Sequence, residues 1–172
     1  RPGAGRAPAT LTLAFSPDGK LLASSGRDRR VVLWDVSARQ PWTALEGHRG
    51  RVYGVAFSPD GRWLATCGSD HRAAVWELGP VRPPASAPRP PRPRWLEGHT
   101  AAVSDLAFTP DGRRLATASW DRTLRLWDPA TGEAERVHRV RDAGLNDVAV
   151  ALGGELVVSD RKSTRLNSSH YS

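Results

Sequence analysis

The chain reads as an all-β protein assembled from repeated four-stranded units, and three observations predict this. Phe15-Ser16-Pro17-Asp18-Gly19 returns as Phe57-Ser58-Pro59-Asp60-Gly61 and again as Phe108-Thr109-Pro110-Asp111-Gly112. Each copy runs on to an Asp (Asp28, Asp70, Asp121) and, six residues later, to a Trp (Trp34, Trp76, Trp127). The spacing is 42 residues between copies one and two and 51 between copies two and three, the same for all three markers. A fixed period of about 40–45 residues marks stacked β units, each of which buries its faces only against its neighbours.

Copy two shows each element most clearly. Leu45-Glu46-Gly47-His48 closes an outer strand at a tight turn. Val52 to Phe57 follows with a period of two, the alternation of a half-buried strand. Ser58-Pro59-Asp60-Gly61 is a turn: Pro presets φ, Ser bonds the backbone, and Gly admits positive φ, giving a type I turn with a bulge. Trp63-Leu64-Ala65-Thr66-Cys67 is the next strand, Gly68 to Arg72 turns again, and Ala73 to Leu78 is the third strand. Ala, Gly and Cys crowd the inner strands, where sheets packed face to face leave no room for larger side chains.

These linked motifs closely resemble the WD-repeat β-propeller family over roughly residues 5–159. The resemblance implies an open fragment of a propeller, with three blades (about 5–36, 47–78 and 98–128) and part of a fourth (140–159). It also implies a buried tetrad in each blade, made of the His of Gly-His, a strand Ser/Thr, the turn Asp and the strand Trp. Carried over by position, copy two supplies His48, Thr66, Asp70 and Trp76, and copy three His99, Thr117, Asp121 and Trp127. Copy one supplies Ser24, Asp28 and Trp34, with Arg6 at the His position. Copy four supplies only Ser159, with Arg141 at the His position. The chemistry suits these types: Asp fixes one imidazole N–H, the other ring nitrogen takes the hydroxyl proton, and the hydroxyl oxygen accepts the indole N–H.

His, Ser/Thr and Asp also form a hydrolase constellation. An active site is built once, however, whereas a brace is repeated with the unit it braces, so the trio is read as structural and the segment as non-catalytic. His48 and His99 sit a whole repeat apart with no Cys/His partner at ligand spacing, and neither a metal nor a cofactor is expected.

The resemblance places three positions of each blade on one end, where partners dock: two on the first strand and one in the turn before the Asp. The strand positions are Arg51 and Tyr53, Ala102 and Ser104, Ala9 and Leu11, and Gly144 and Asn146. The turn positions are Arg27, Ser69 and Trp120. Trp, Tyr and Arg are the types that dominate binding hot spots. The protein-binding candidates are therefore Arg27, Arg51, Tyr53, Ser69, Ser104 and Trp120. The implied function is a scaffold that presents a surface to other proteins.

The net charge is +7, carried by 23 Arg and 2 Lys. A basic balance admits a nucleic-acid-binding propeller as the alternative, but Arg is scattered through the turns and is read as a solvated surface. No apolar run approaches the roughly 18 residues of a membrane span, so no membrane partner is expected. The single Cys67, aligned with Ser25 and Ala118, fills a small core slot and suits an intracellular setting.

Two segments stand apart. Gly79 to Arg94 holds seven Pro in 16 residues, accounts for the wider second spacing, and is expected to be an extended loop. Asp160 to His170 reads D-R-K-S-T-R-L-N-S-S-H, which resembles an in-frame translation of a sequencing adapter. Residues 160–172 are therefore expected to be foreign to the fold and to make no ladder contacts. The chain contains no Met and is expected to be an internal piece of a longer protein.

Overall fold

The computed structural model describes residues 10–79, 91–140, 144–150, 156–160 and 167–169. Those residues form strands and turns without a helix. The first sheet contains β1 (Thr10–Phe15), β2 (Leu21–Gly26), β3 (Val31–Asp35) and β4 (Gln40–Leu45). The second contains β5 (Val52–Phe57), β6 (Trp63–Gly68), β7 (Ala73–Glu77) and β8 (Pro93–Leu96). The third contains β9 (Val103–Phe108), β10 (Leu115–Ser119), β11 (Thr123–Trp127) and β12 (Ala134–Arg139). The fourth contains β13 (Leu145–Val150), β14 (Leu156–Asp160) and β15 (Asn167–Ser169). Every sheet is an antiparallel meander in chain order.

The first strands, β1, β5, β9 and β13, lie side by side and relate the sheets in series. The result is an open arc of blades rather than a closed ring. The core lies between successive sheets. Along β6, Trp63, Ala65 and Cys67 pack toward the third sheet, while Leu64 packs toward the first. The open face of the first sheet has no such cover, and Leu13 and Phe15 are 60% and 62% exposed.

Each Ser/Thr-Pro-Asp-Gly turn is built alike. Gly19, Gly61 and Gly112 have φ of 71°, 72° and 69°, and each donates its N–H to the carbonyl of the turn's first residue at 2.8–2.9 Å. The hydroxyl of that first residue donates to the turn Asp at 2.5–2.6 Å. The glycine before each tetrad His is also conformationally required: Gly47 and Gly98 have φ of 145° and 135°, which side chains disfavour.

Two sequence expectations are corrected. Pro93 and Arg94, read as loop, open the outer strand β8 and pair with Trp76 and Val75. The outer edge tolerates them because a proline without an N–H loses nothing where that side of the strand faces solvent. Residues 80–90 of the insertion lie outside the described residues. The C-terminal segment does make ladder contacts, with Asn167, Ser168 and Ser169 pairing with Val158, Val157 and Leu156. An open strand edge offers unpaired N–H and C=O groups to any extended backbone, whatever its side chains.

Candidate functional site

In the second sheet, His48 Nδ1 lies 3.0 and 3.1 Å from the Asp70 carboxylate oxygens, and its Nε2 lies 2.9 Å from Thr66 Oγ1. Trp76 Nε1 donates to the same Thr66 oxygen at 3.0 Å. The third sheet repeats this with His99 to Asp121 at 2.8 Å, His99 to Thr117 at 2.8 Å, and Trp127 to Thr117 at 2.8 Å. Each network ties an inter-sheet connection to three elements of one blade. The carboxylates also accept backbone N–H groups, Arg49 on Asp70 at 2.8 Å and Thr100 on Asp121 at 3.0 Å. Thr66 and Thr117 are fully buried and already committed on both sides. No hydroxyl in either network is presented to a substrate.

Burial alone would raise the Asp121 carboxyl. Hydrogen bonds from Thr123, His99 and Thr100 outweigh that and hold it at about 2. Asp70 is likewise lowered, with burial opposed by the bond and charge of His48. Burial pushes His99 below its ordinary range, against the pull of Asp121. His99 is therefore neutral, with Nδ1–H donated to Asp121 and Nε2 accepting the Thr117 hydroxyl.

The first sheet keeps part of this arrangement. Trp34 Nε1 donates to Ser24 Oγ at 2.8 Å, while among the described residues Asp28 accepts the Arg30 N–H at 3.4 Å. Arg6, Arg141 and the Ser159 side chain lie outside the described residues.

At the end of the sheets where β2 meets β3, β6 meets β7, and β10 meets β11, the candidate docking residues separate into two groups. Tyr53 and Trp120 come together, their ring centroids 5.9 Å apart and tilted by 36°. A β-bulge explains how. The β5–β6 register skips Tyr53, and the same skip falls at Leu11, Ser104 and Asn146 in the other sheets. A bulge re-aims its side chain and bends the strand. Trp120 is 37% exposed and its backbone lies against Gly144 of the fourth sheet. Arg27 and Arg51 are exposed at the same end of the sheets.

The serines are drawn into the framework instead. Ser69 Oγ accepts the Arg51 N–H at 2.8 Å, and the Ser69 N–H returns to the Arg51 carbonyl at 2.9 Å. Ser104 Oγ bridges to the carbonyls of Ala118 and Leu145, at 3.1 and 2.7 Å, and so joins two sheets. Ala102, read as a rim position, is buried, its carbonyl accepting from Trp120 N–H and Ser119 Oγ at 2.9 Å each. The reason is the same for all three: small side chains at this end are reached by backbone groups before solvent is.

The sequence profile described as WD domain, G-beta repeat matches residues 8–35, 39–77 and 92–128. The chain belongs to the WD-repeat family. Its relatives include a nuclear distribution protein, nudF 1, of Talaromyces marneffei, 30% identical over 83% of this chain and 30% of its own length. The small ribosomal subunit protein RACK1 of Saccharomyces cerevisiae is 55% identical over 23% of the chain and 12% of its own length. MST50-interacting protein 11 of Pyricularia oryzae is 51% identical over 25% of the chain and 14% of its own length. The matches span less than a third of each of these relatives.

Some residues that shape these WD-repeat blades carry no repeat signal. Thr123 Oγ1 donates to Asp121 Oδ1 at 2.6 Å and lies 3.2 Å from His99 Nδ1. The same position in the second blade is Arg72, which instead lies over the Trp95 ring at 5.5 Å and pairs with Glu97 at 3.4 Å. Trp95 also packs edge-on to His48, 5.1 Å between centroids. Asp105 accepts the Val148 N–H at 2.9 Å and is raised to about 7 by burial and by its hydrogen bond with Asp147. The Cys67 thiol, fully buried, is pushed up by burial and by the Asp105 charge, so it is not a reactive thiolate.

Proposed function

We propose that this WD-repeat segment is a non-catalytic scaffold whose docking surface for another protein is the rim formed by Tyr53, Trp120, Arg51 and Arg27. The observation that carries this reading is the Tyr53–Trp120 pair, which holds two large rings together at an end of the sheets that also carries exposed arginines. Amphipathic rings held by a rigid framework lose little conformational entropy on binding and contribute most of the energy at interfaces. Two relatives carry names that fit such a role, one as a ribosomal subunit protein and one as an interacting protein. Among the described residues no helix is long and apolar enough to cross a membrane; an intracellular protein partner is part of the same proposal.

Photo-crosslinking separates the two ends of the blades. A benzophenone side chain at Arg27 or Ser69, on the rim, is expected to capture a partner from native extract. The same group at Arg113, at the other end of the third sheet, is expected to capture none. Equal capture at both ends, or capture only at Arg113, overturns the assignment.

A further inference from the structure

We infer that the partner segment received by this rim is an acidic peptide that carries an apolar or aromatic side chain among its carboxylates; this rests on the docking rim proposed above. The two ends of the blades differ in how their charges are matched. At the opposite end, Lys20, Arg62 and Arg114 are each paired with a carboxylate, Asp18, Glu77 and Glu135, at 3.6, 2.8 and 2.6 Å, while the exposed Arg39 and Arg113 lie in turns that also carry Asp35 and Asp111. At the rim, Arg27, Arg29, Arg49, Arg51 and Arg122 are all exposed, and among the described residues none has a carboxylate within ion-pair distance. Among the described residues, the acids of that end other than Asp28 are already engaged. Asp70 and Asp121 are buried beneath the histidines, and Glu46 and Glu97 face Arg30 and Arg72 at 3.4 Å. Asp105 and Asp147 are hydrogen-bonded to one another. Among the described residues, Asp28 is the remaining exposed carboxylate of these turns.

The backbone adds an independent observation. Arg29, His71 and Arg122 follow the turn Asp in the three blades and have φ of 70°, 67° and 67°. That region favours Gly or Asn, yet each blade places a long basic or imidazole side chain there, and all three are exposed. The geometry repeats an exposed polar side chain at the same turn position of each blade, an arginine in two of the three. Arg51 and Arg122 lie two residues from Tyr53 and Trp120 respectively in the chain, so each contributing blade supplies an exposed arginine close in sequence to its ring.

A polypeptide fits this surface better than a nucleic acid does. Binding of single strands relies on ring faces free for successive bases to stack on. Here the two rings pack against each other and present one shared apolar surface rather than two platforms. Carboxylates spaced along an extended peptide reach arginines on neighbouring blades, while a single apolar side chain covers the Tyr53–Trp120 surface.

The test is fluorescence anisotropy on the full chain with three labelled probes. One is a 12-residue Asp/Glu peptide with a central Phe, one has Lys in place of the acids, and one is a 12-nucleotide oligouridylate. The acidic peptide is expected to bind, to weaken at least tenfold when salt rises from about 50 to 200 mM, and to weaken at least tenfold in Arg51→Glu/Arg122→Glu. The Lys peptide is expected not to bind, and Arg113→Glu is expected to leave binding unchanged. Circular dichroism confirms the fold of each variant. Absence of binding by the acidic peptide, equal loss in Arg113→Glu, or tighter binding of the oligouridylate overturns the inference. If Tyr53→Ala/Trp120→Ala abolishes crosslinking at Arg27 while Arg51→Glu/Arg122→Glu leaves it intact, the docking rim stands and the acidic partner is wrong.

Discussion

Thr123 donates its hydroxyl to Asp121 at 2.6 Å and stands 3.2 Å from His99. The third blade thus fixes its carboxylate with one more side chain than the second, where Arg72 occupies the position and reaches outward to Glu97. Removing Asp121 leaves the His99 N–H and the Thr123 hydroxyl without their acceptor in a buried site. Asp121→Ala is expected to destabilise by about 2–4 kcal/mol, since each orphaned buried group costs roughly 1–3 kcal/mol. Asp28→Ala, at an exposed carboxylate with one weak bond, is expected to change stability by less than about 0.5 kcal/mol. Urea unfolding of the two variants checks the difference, and equal losses would mean that the network does not brace the blade.

The indole bonds allow a second comparison. Trp34 to Ser24 and Trp127 to Thr117 both measure 2.8 Å, yet Trp34 is 37% exposed and Trp127 1%. Water replaces the first bond and cannot reach the second. Trp34→Phe is expected to cost less than about 0.5 kcal/mol, and Trp127→Phe about 1–2 kcal/mol from the unpaired Thr117 and the void. Thermal melting of the two variants reads the contrast.

The open face of the first sheet is expected to bind hydrophobic dyes and to self-associate. Leu13 and Phe15 are largely exposed there, whereas their counterparts Val55 and Phe57 pack between the first two sheets. Leu13→Ser/Phe15→Ser is expected to reduce dye fluorescence and sedimenting oligomers with little change in melting. Val55→Ser/Phe57→Ser is expected to lower stability by about 3 kcal/mol or more. Oligomers unaffected by the first pair of substitutions would place the association elsewhere.

The repeat copies were legible because each blade solves the same packing problem with the same residue types. His48, Thr66, Asp70 and Trp76 form their network at the spacing the motif set in the sequence. Residues that act between blades carry no such signature. Asp105 aligns with Gly54 and Ser104 with Tyr53, so one repeat position supplies a carboxylate or a gap, and the position before it a seam hydroxyl or a ring, according to the neighbour across the sheet boundary. The β15 pairing was hidden for a different reason: backbone at an open edge pairs without regard to side-chain pattern.

Three buried groups give pH slopes of two signs, Asp121 and His99 on one side and Asp105 on the other. Asp121 sits at about 2 when folded against an ordinary 3.8, so its contribution is full above about pH 4 and is lost as pH falls toward 2. His99 is lowered from 6.5, so its contribution is full above that value and declines as acid protonates the unfolded chain first. Asp105 is raised to about 7, and protonation in the folded state favours folding as pH falls from about 7 toward 3.8. Asp147, Cys67 and the Val148 N–H are the groups that face it. Asp105→Asn is expected to make melting fall more steeply between pH 7 and 4 than in the parent protein, because the opposing slope is removed. An unchanged profile would exclude Asp105 as a titrating group.

Binding and stability are expected to separate at the rim. Tyr53 projects from a bulge and Trp120 from a turn, and neither side chain belongs to the hydrogen-bonded tetrads or to the three inter-sheet clusters. Truncating both removes an exposed ring contact of about 0.5–1.5 kcal/mol but leaves the His99–Asp121 and His48–Asp70 networks in place. At an interface the same two rings contribute about 2 kcal/mol each, roughly 30-fold in affinity per residue. Tyr53→Ala/Trp120→Ala is therefore expected to melt within a few degrees of the parent protein and to lose the partner captured by the Arg27 crosslinker. Asp121→Ala is expected to do the reverse at low temperature, weakening the fold while the remaining folded molecules still bind. A double variant that keeps its partner would remove the aromatic pair from the docking surface, whatever its melting temperature.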